Sequence, residues 1–115
     1  MTLSLALTLL AQQPAVAAPE SAVQEEIVVI ARKLATSRFT WKADDDSGEW
    51  QLKKCKIRKS SGDIEIDAIV CSAIGKCLIT LPPKASKLTR EFNSCVNEKR
   101  RELVQALADK KAAAL

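Results

Sequence analysis

Four cysteines in 115 residues constrain this chain more than any other feature. They stand at Cys55, Cys71, Cys77 and Cys95. A domain of this size buries only a modest fraction of its surface and often needs covalent staples. In an oxidising compartment, two disulfides supply them. The competing use of four cysteines is zinc, which draws on histidines or C-x-x-C pairs. The chain has no His and no such pair, so neither a metal nor another cofactor is expected.

The N-terminus points to the same compartment. "MTLSLALTLLAQQPAVAAPE" carries no charge before Glu20. An apolar run from Leu3 to Ala11 precedes a polar break, and Ala15–Val16–Ala17 has the small-residue spacing that signal peptidase accepts. The run is too short to span a bilayer, which takes about 20 apolar residues. Residues 1–17 therefore read as a signal peptide and 18–115 as a single small exported domain, periplasmic or secreted, without a transmembrane segment. The run lacks a preceding Lys or Arg, as expected if the natural start lies further upstream. The plainer alternative is an apolar first helix of a cytosolic domain.

Three of the cysteines fall in "CKIRKSSGDIEIDAIVCSAIGKC" (residues 55–77), which is either a hairpin or a turn entering a helix. Strand alternation through Ile64, Ile66, Ala68 and Val70 fails beyond that point. The helical series Ile66, Ile69, Val70, Ala73, Ile74 and Cys77 runs without a gap. Ser60, Ser61 and Asp63 are preferred caps, and Glu65 and Asp67 suit the positive end of the helix dipole. A helix over about 63–79 is the reading adopted. A second one, over about 86–111, places Leu88, Phe92, Cys95, Val96, Lys99, Leu103, Ala106 and Leu107 on one stripe after Pro82 and Pro83, with Ser86 as cap.

Six residues along a helix rise about 9 Å, beyond the roughly 7 Å limit for bridged Cα atoms, so Cys71 and Cys77 cannot pair. Cys77 and Cys95 each lie mid-stripe, which favours Cys77–Cys95 and leaves Cys55–Cys71. Cys55–Cys77 with Cys71–Cys95 stays open, because a helical hairpin symmetric about Pro82–Pro83 puts Cys71 opposite Cys95.

Upstream, "EEIVVIARKL" is rich in β-branched residues and reads as a strand from Ile27 to Ala31. "RFTWKADDDSGEWQLKKCKI" reads as a hairpin with strands around Arg38–Lys42 and Glu49–Ile57 and a turn at Asp44–Gly48. Trp41 and Trp50 are placed as a cross-strand pair. Residues 18 to about 25, and Ala112 onward, are expected to fray. The fold class is α+β, a small antiparallel sheet or hairpin followed by two disulfide-linked helices.

Chemistry-bearing patterns are few. "DDDSGE" is not a calcium loop, since Gly48 falls on a ligand position and Lys53, Lys54 and Cys55 take the distal end. Without His, Ser–His and Cys–His nucleophile pairs are excluded. Asp63, Glu65 and Asp67 offer an acid and a base, yet helical spacing puts Asp63 and Asp67 on an exposed side with ordinary pKa values, where a general acid needs a raised one. The expected function is thus non-enzymatic binding. The candidate surface is Trp41, Trp50, Lys53, Lys54, Lys56 and Arg58, with Lys99, Arg100 and Arg101 as a second basic cluster. The partner class is a protein or an anionic envelope component. A net charge of +4 argues against nucleic acid. The opposing view treats these cations as a solvated face partly balanced by Glu98, Glu102, Asp63 and Glu65. Two other functions compete with binding: an inhibitor inserting Asp44–Gly48, and a small hydrolase using the three carboxylates.

Two resemblances bear on source. "EEIVVIARK" (Glu25–Lys33) resembles the segment near the mature N-terminus of TonB-dependent outer-membrane receptors, which implies a Gram-negative envelope and a strand-addition role for Ile27–Ala31. The chain has the length for neither a plug nor a barrel. The order Arg32–Lys33–Leu34, Trp41, Trp50, Cys55–Lys56, Ser60–Asp63, Ile66–Asp67, Cys71, Cys77 and Cys95 is similar to that of small exported cysteine-containing proteins of alphaproteobacteria. That resemblance implies a disulfide-and-helix fold and no particular activity.

Overall fold

The computed structural model describes residues 19–82 and 89–115. The expected leader over residues 1–17, the cap at Ser86 and the stripe residue Leu88 lie outside the described residues. Within them the chain forms α1 (Glu20–Thr36), β1 (Arg38–Asp44), β2 (Gln51–Lys59), α2 (Ile64–Leu78) and α3 (Arg90–Ala113). The fold is α+β, with a two-stranded antiparallel hairpin ahead of two disulfide-linked helices. No helix of the described residues is long and apolar enough to cross a membrane.

α2 follows its sequence signals. The Asp63 carboxylate accepts from the backbone N–H of Glu65 at 2.8 Å and of Ile66 at 3.3 Å, satisfying two donors at the helix start. Gly62 ahead of it sits at φ +94°, where an L side chain would be strained. The whole helical series from Ile66 to Cys77 is buried, with Leu78 added. In α3, Thr89 Oγ1 caps by accepting from Phe92 N–H at 3.2 Å. Phe92 and Leu107 are buried as the stripe requires, but Ala106 is exposed and Ala108 and Ala112 are buried instead. Ala112 sits inside the helix, so the expected fraying from that residue is corrected.

The first segment is the largest departure. Ile27–Ala31 is not a strand but the middle of α1, which is already helical at Glu20, in the stretch expected to fray. β-branched residues favour strands only mildly, and packing overrides that preference. Val23, Ile27, Ile30 and Leu34 recur at helical spacing and meet α2 and α3, with Ile30 fully buried. Val28 and Val29 are left exposed.

The hairpin pairs Phe39 with Ile57, Trp41 with Cys55 and Lys42 with Lys54. The expected Trp41–Trp50 cross-strand pair does not form. Trp41 packs on Phe92 of α3, ring centroids 5.9 Å apart, while Trp50 Nε1 donates to the Pro82 carbonyl at 3.0 Å. The register shifts twice, between Arg38 and Phe39 and between Lys42 and Ala43. Leu52 and Cys55, three apart, are both half-buried, and strict alternation cannot turn both inward. The second irregularity resolves this by giving Lys53 and Lys54 to one position of β1.

Both disulfides take the favoured connectivity. Cys55–Cys71 joins β2 to α2 with Cα atoms 6.0 Å apart, and Cys77–Cys95 joins α2 to α3 at 5.8 Å. Ion pairs Lys111–Asp63 (2.8 Å) and Lys110–Glu65 (2.7 Å) close the other end of the antiparallel α2–α3 pair. The pairing is therefore symmetric about a point later in the chain than Pro82–Pro83, which is why Cys71 does not meet Cys95. The core divides in two. Ile30, Ile66, Ile69, Leu107 and Ala108 form an all-helical cluster. Val70, Ile74, Cys77, Leu78 and Phe92 form the other, covered by Phe39, Trp41, Trp50 and Leu52 of the hairpin segment.

Candidate functional site

Alternation in the hairpin sends Phe39, Trp41 and Ala43 toward the second cluster and leaves Arg38, Thr40 and Lys42 exposed on the other face. Across the ladder, Lys54, Lys56, Arg58 and Lys59 are exposed as well. Thr40, Lys42, Lys54, Lys56 and Arg58, with an edge of Trp41, line a shallow hollow of about 290 Å³. Lys42 lies directly opposite Lys54, and Arg38 opposite Lys59. Like charges facing each other across a ladder destabilise it. Among the described residues, none of these six cations has a carboxylate partner. Arg58 Nε donates instead to Thr40 Oγ1 at 3.2 Å, which fixes the guanidinium on this face.

The structure thus brings Lys54, Lys56 and Arg58 together and separates the rest of the expected surface. Lys53 turns to the hairpin tip, where its Nζ lies 3.0 Å from Gln51 Oε1 and 4.0 Å from Asp44. Trp41 is a half-buried wall of the hollow, and Trp50 belongs to the core and to Pro82. Lys42 was the residue missed. Its signal is the Arg38, Thr40, Lys42 alternation in β1, where single cations spaced by two are less conspicuous than the continuous run in β2. Of the acids set against the two basic clusters, Glu102 does pair with Lys99 of the second, whereas Asp63 and Glu65 pair with Lys111 and Lys110 and not with the hairpin cations.

The three carboxylates form a capping cluster whose members are already engaged. Lys111 Nζ donates to Asp63, and this bond, opposed by partial desolvation and helped by the Ile66 and Glu65 N–H groups, holds the Asp63 carboxyl below its ordinary 3.8. Asp67 accepts from the Ser60 hydroxyl, from Ser61 Oγ at 2.7 Å and from Ser61 N–H at 2.8 Å, and its pKa is lowered for the same reason. The expectation of exposed carboxylates with ordinary pKa values is therefore corrected. Both Asp63 and Asp67 are half-buried, and hydrogen bonds favour their ionised forms. Lys111 is correspondingly raised above 10.5 by Asp63.

Among the described residues, no group of three or more His, Cys, Asp or Glu side chains is placed to hold a metal ion. Compared with protein-family models, curated proteins and solved structures, the chain matches none.

Proposed function

We propose that this protein works outside the cytoplasm, in the periplasm or the medium, as a non-enzymatic binding protein that engages an anionic component of the bacterial envelope through the outer face of its hairpin. The observation that carries the reading is Lys42 facing Lys54 with neither of them paired to a carboxylate among the described residues. A merely solvated face would gain stability from one carboxylate at either position, and this one keeps its cations unneutralised. Two disulfides support the compartment, since they persist where the medium is oxidising. Hydrolysis by the Asp63–Asp67 cluster has the weaker support, because a general acid needs its pKa raised and these two are lowered.

Co-sedimentation with phosphatidylglycerol-containing vesicles and with neutral phosphatidylcholine vesicles tests the reading. Each Lys or Arg near an anionic surface contributes about 1 kcal/mol, screened by salt. The wild type is expected to prefer the anionic vesicles at low salt and to release them at high salt. Replacing Lys42, Lys54, Lys56 and Arg58 together by Gln should abolish the preference. Equal partitioning of the wild type into both vesicles, or unchanged binding by the fourfold variant, contradicts it.

A further inference from the structure

A second concavity lies away from the hairpin's outer face, and its chemistry differs. It is a groove of about 580 Å³ between α1, the start of β1 and α3. Ile27 and Leu34 of α1, Phe39 of β1 and Val104 of α3 supply apolar walls. Ala31 and Ala35, four apart on one stripe of α1, keep it open because nothing longer than a methyl group projects there. Arg100 and Arg101 of α3 stand at the same groove, both exposed. Arg100 hydrogen-bonds Asn97 at 3.4 Å, and among the described residues neither arginine has a carboxylate partner.

We infer that this groove binds one molecule of a single-chain fatty carboxylate, with the acyl chain along Ile27, Leu34, Phe39 and Val104 and the head group on Arg100 and Arg101. Three features select that occupant. The walls are apolar and mainly aliphatic, which suits a flexible methylene chain. The volume falls within the roughly 300–1,000 Å³ of small-ligand sites, which fits one chain better than a two-chain phospholipid. Among the described residues the groove's only charges are cations, and a guanidinium receives a carboxylate through two parallel N–H donors. A cationic or uncharged amphiphile would leave that pair unanswered.

The inference is independent of the hairpin reading, and Lys54→Glu should leave it unmoved. Calorimetric titration of the oxidised protein with saturated carboxylates of increasing length, below their micelle concentrations, tests it. Binding is expected at one site, tightening about fourfold for each added methylene. The alcohol of the same length should bind at least about tenfold more weakly, because the charged hydrogen bonds are lost. Replacing Arg100 and Arg101 by Gln should erase that discrimination and keep the chain-length dependence. Ala35→Phe, a change at an exposed helical position, should block binding and leave the melting temperature in place. The proposal fails if no length binds saturably, if alcohol and carboxylate bind alike, or if Ala35→Phe leaves affinity intact. It fails equally if sedimentation shows a dimer that Ala35→Phe disrupts, since a second copy then fills the groove.

Discussion

The two halves of the core are built from different materials. The cluster under the hairpin contains cystine, Phe92 and two tryptophans, and Cys77–Cys95 runs through its centre. The all-helical cluster around Ile30 has no covalent tie and depends on aliphatic fit among α1, α2 and α3. Leu34 touches both, so the halves are joined by packing as well as by the run of α2 through them. The contrast teaches where a small domain spends its staples. They hold the two-stranded hairpin, which is marginal alone, and the helices that receive it, while α1 carries no cysteine and is held on α2 and α3 by packing.

Breaking a staple should have the largest effect. Replacing Cys77 and Cys95 by Ala opens an 18-residue loop and empties a site where Cys77 is fully buried, so a loss of about 2–5 kcal/mol is expected. Replacing Cys55 and Cys71 opens a loop of 16, with about the same entropic term near 3 kcal/mol, but both residues are only half-buried. Denaturant titration of the two variants should therefore rank the first as the more damaged. The reverse order would put the staple's weight on the hairpin–α2 joint.

Next comes the unstapled half. Ile30→Ala removes a fully buried side chain and should cost about 2–5 kcal/mol, with α1 the first element to lose amide-exchange protection. A loss under 1 kcal/mol would mean that α1 packs loosely and that the helical cluster is not a second core.

How much of this was legible follows the same division. The stapled half announced itself through cysteines on helical stripes, through the caps at Ser60–Asp63 and through Pro82; both disulfides took the favoured pairing and α2 and a hairpin formed, but the second strand runs Gln51–Lys59 and not Glu49–Ile57, without the Trp41–Trp50 pair. The helical half was misread at α1 because Ile27, Val28, Val29 and Ile30 are consecutive and β-branched, a local signal for a strand. The correct signal, Val23, Ile27, Ile30 and Leu34, was present but spread over three turns, and only α2 and α3 give it meaning. The basic face of the hairpin was half legible for a similar reason. A run of lysines in β2 is visible in one dimension, whereas Lys42 joins it only once the register is known.

A smaller effect concerns the charge cluster that closes α2 against α3. Asp63 and Asp67 are lowered in the fold, so the stability they add is present above their unfolded values and is lost as pH falls through their folded ones, below 3.8. Lys111 is raised, so its contribution is complete below 10.5 and is lost as pH rises past that value. Melting curves should accordingly fall at both extremes. Asp63→Asn, which keeps a capping oxygen and removes the charge, should flatten both limbs and lower stability modestly at neutral pH. Limbs as steep as in the wild type would place the acid and alkaline sensitivity elsewhere.

The smallest stability change is the most informative. If the hairpin keeps Lys42 against Lys54 for binding, then Lys54→Glu should do two opposite things. It turns a repelling cross-strand pair into an attracting one, worth about 0.2–1 kcal/mol, and removes a cation from the hollow. The direct measurement is the melting temperature and the affinity for anionic vesicles on the same preparation of that variant. A higher melting temperature with weakened, less salt-dependent binding is the predicted result. A variant that melts higher and binds as tightly as the wild type would show the face to be a solvated one, and the proposed function would fall with it.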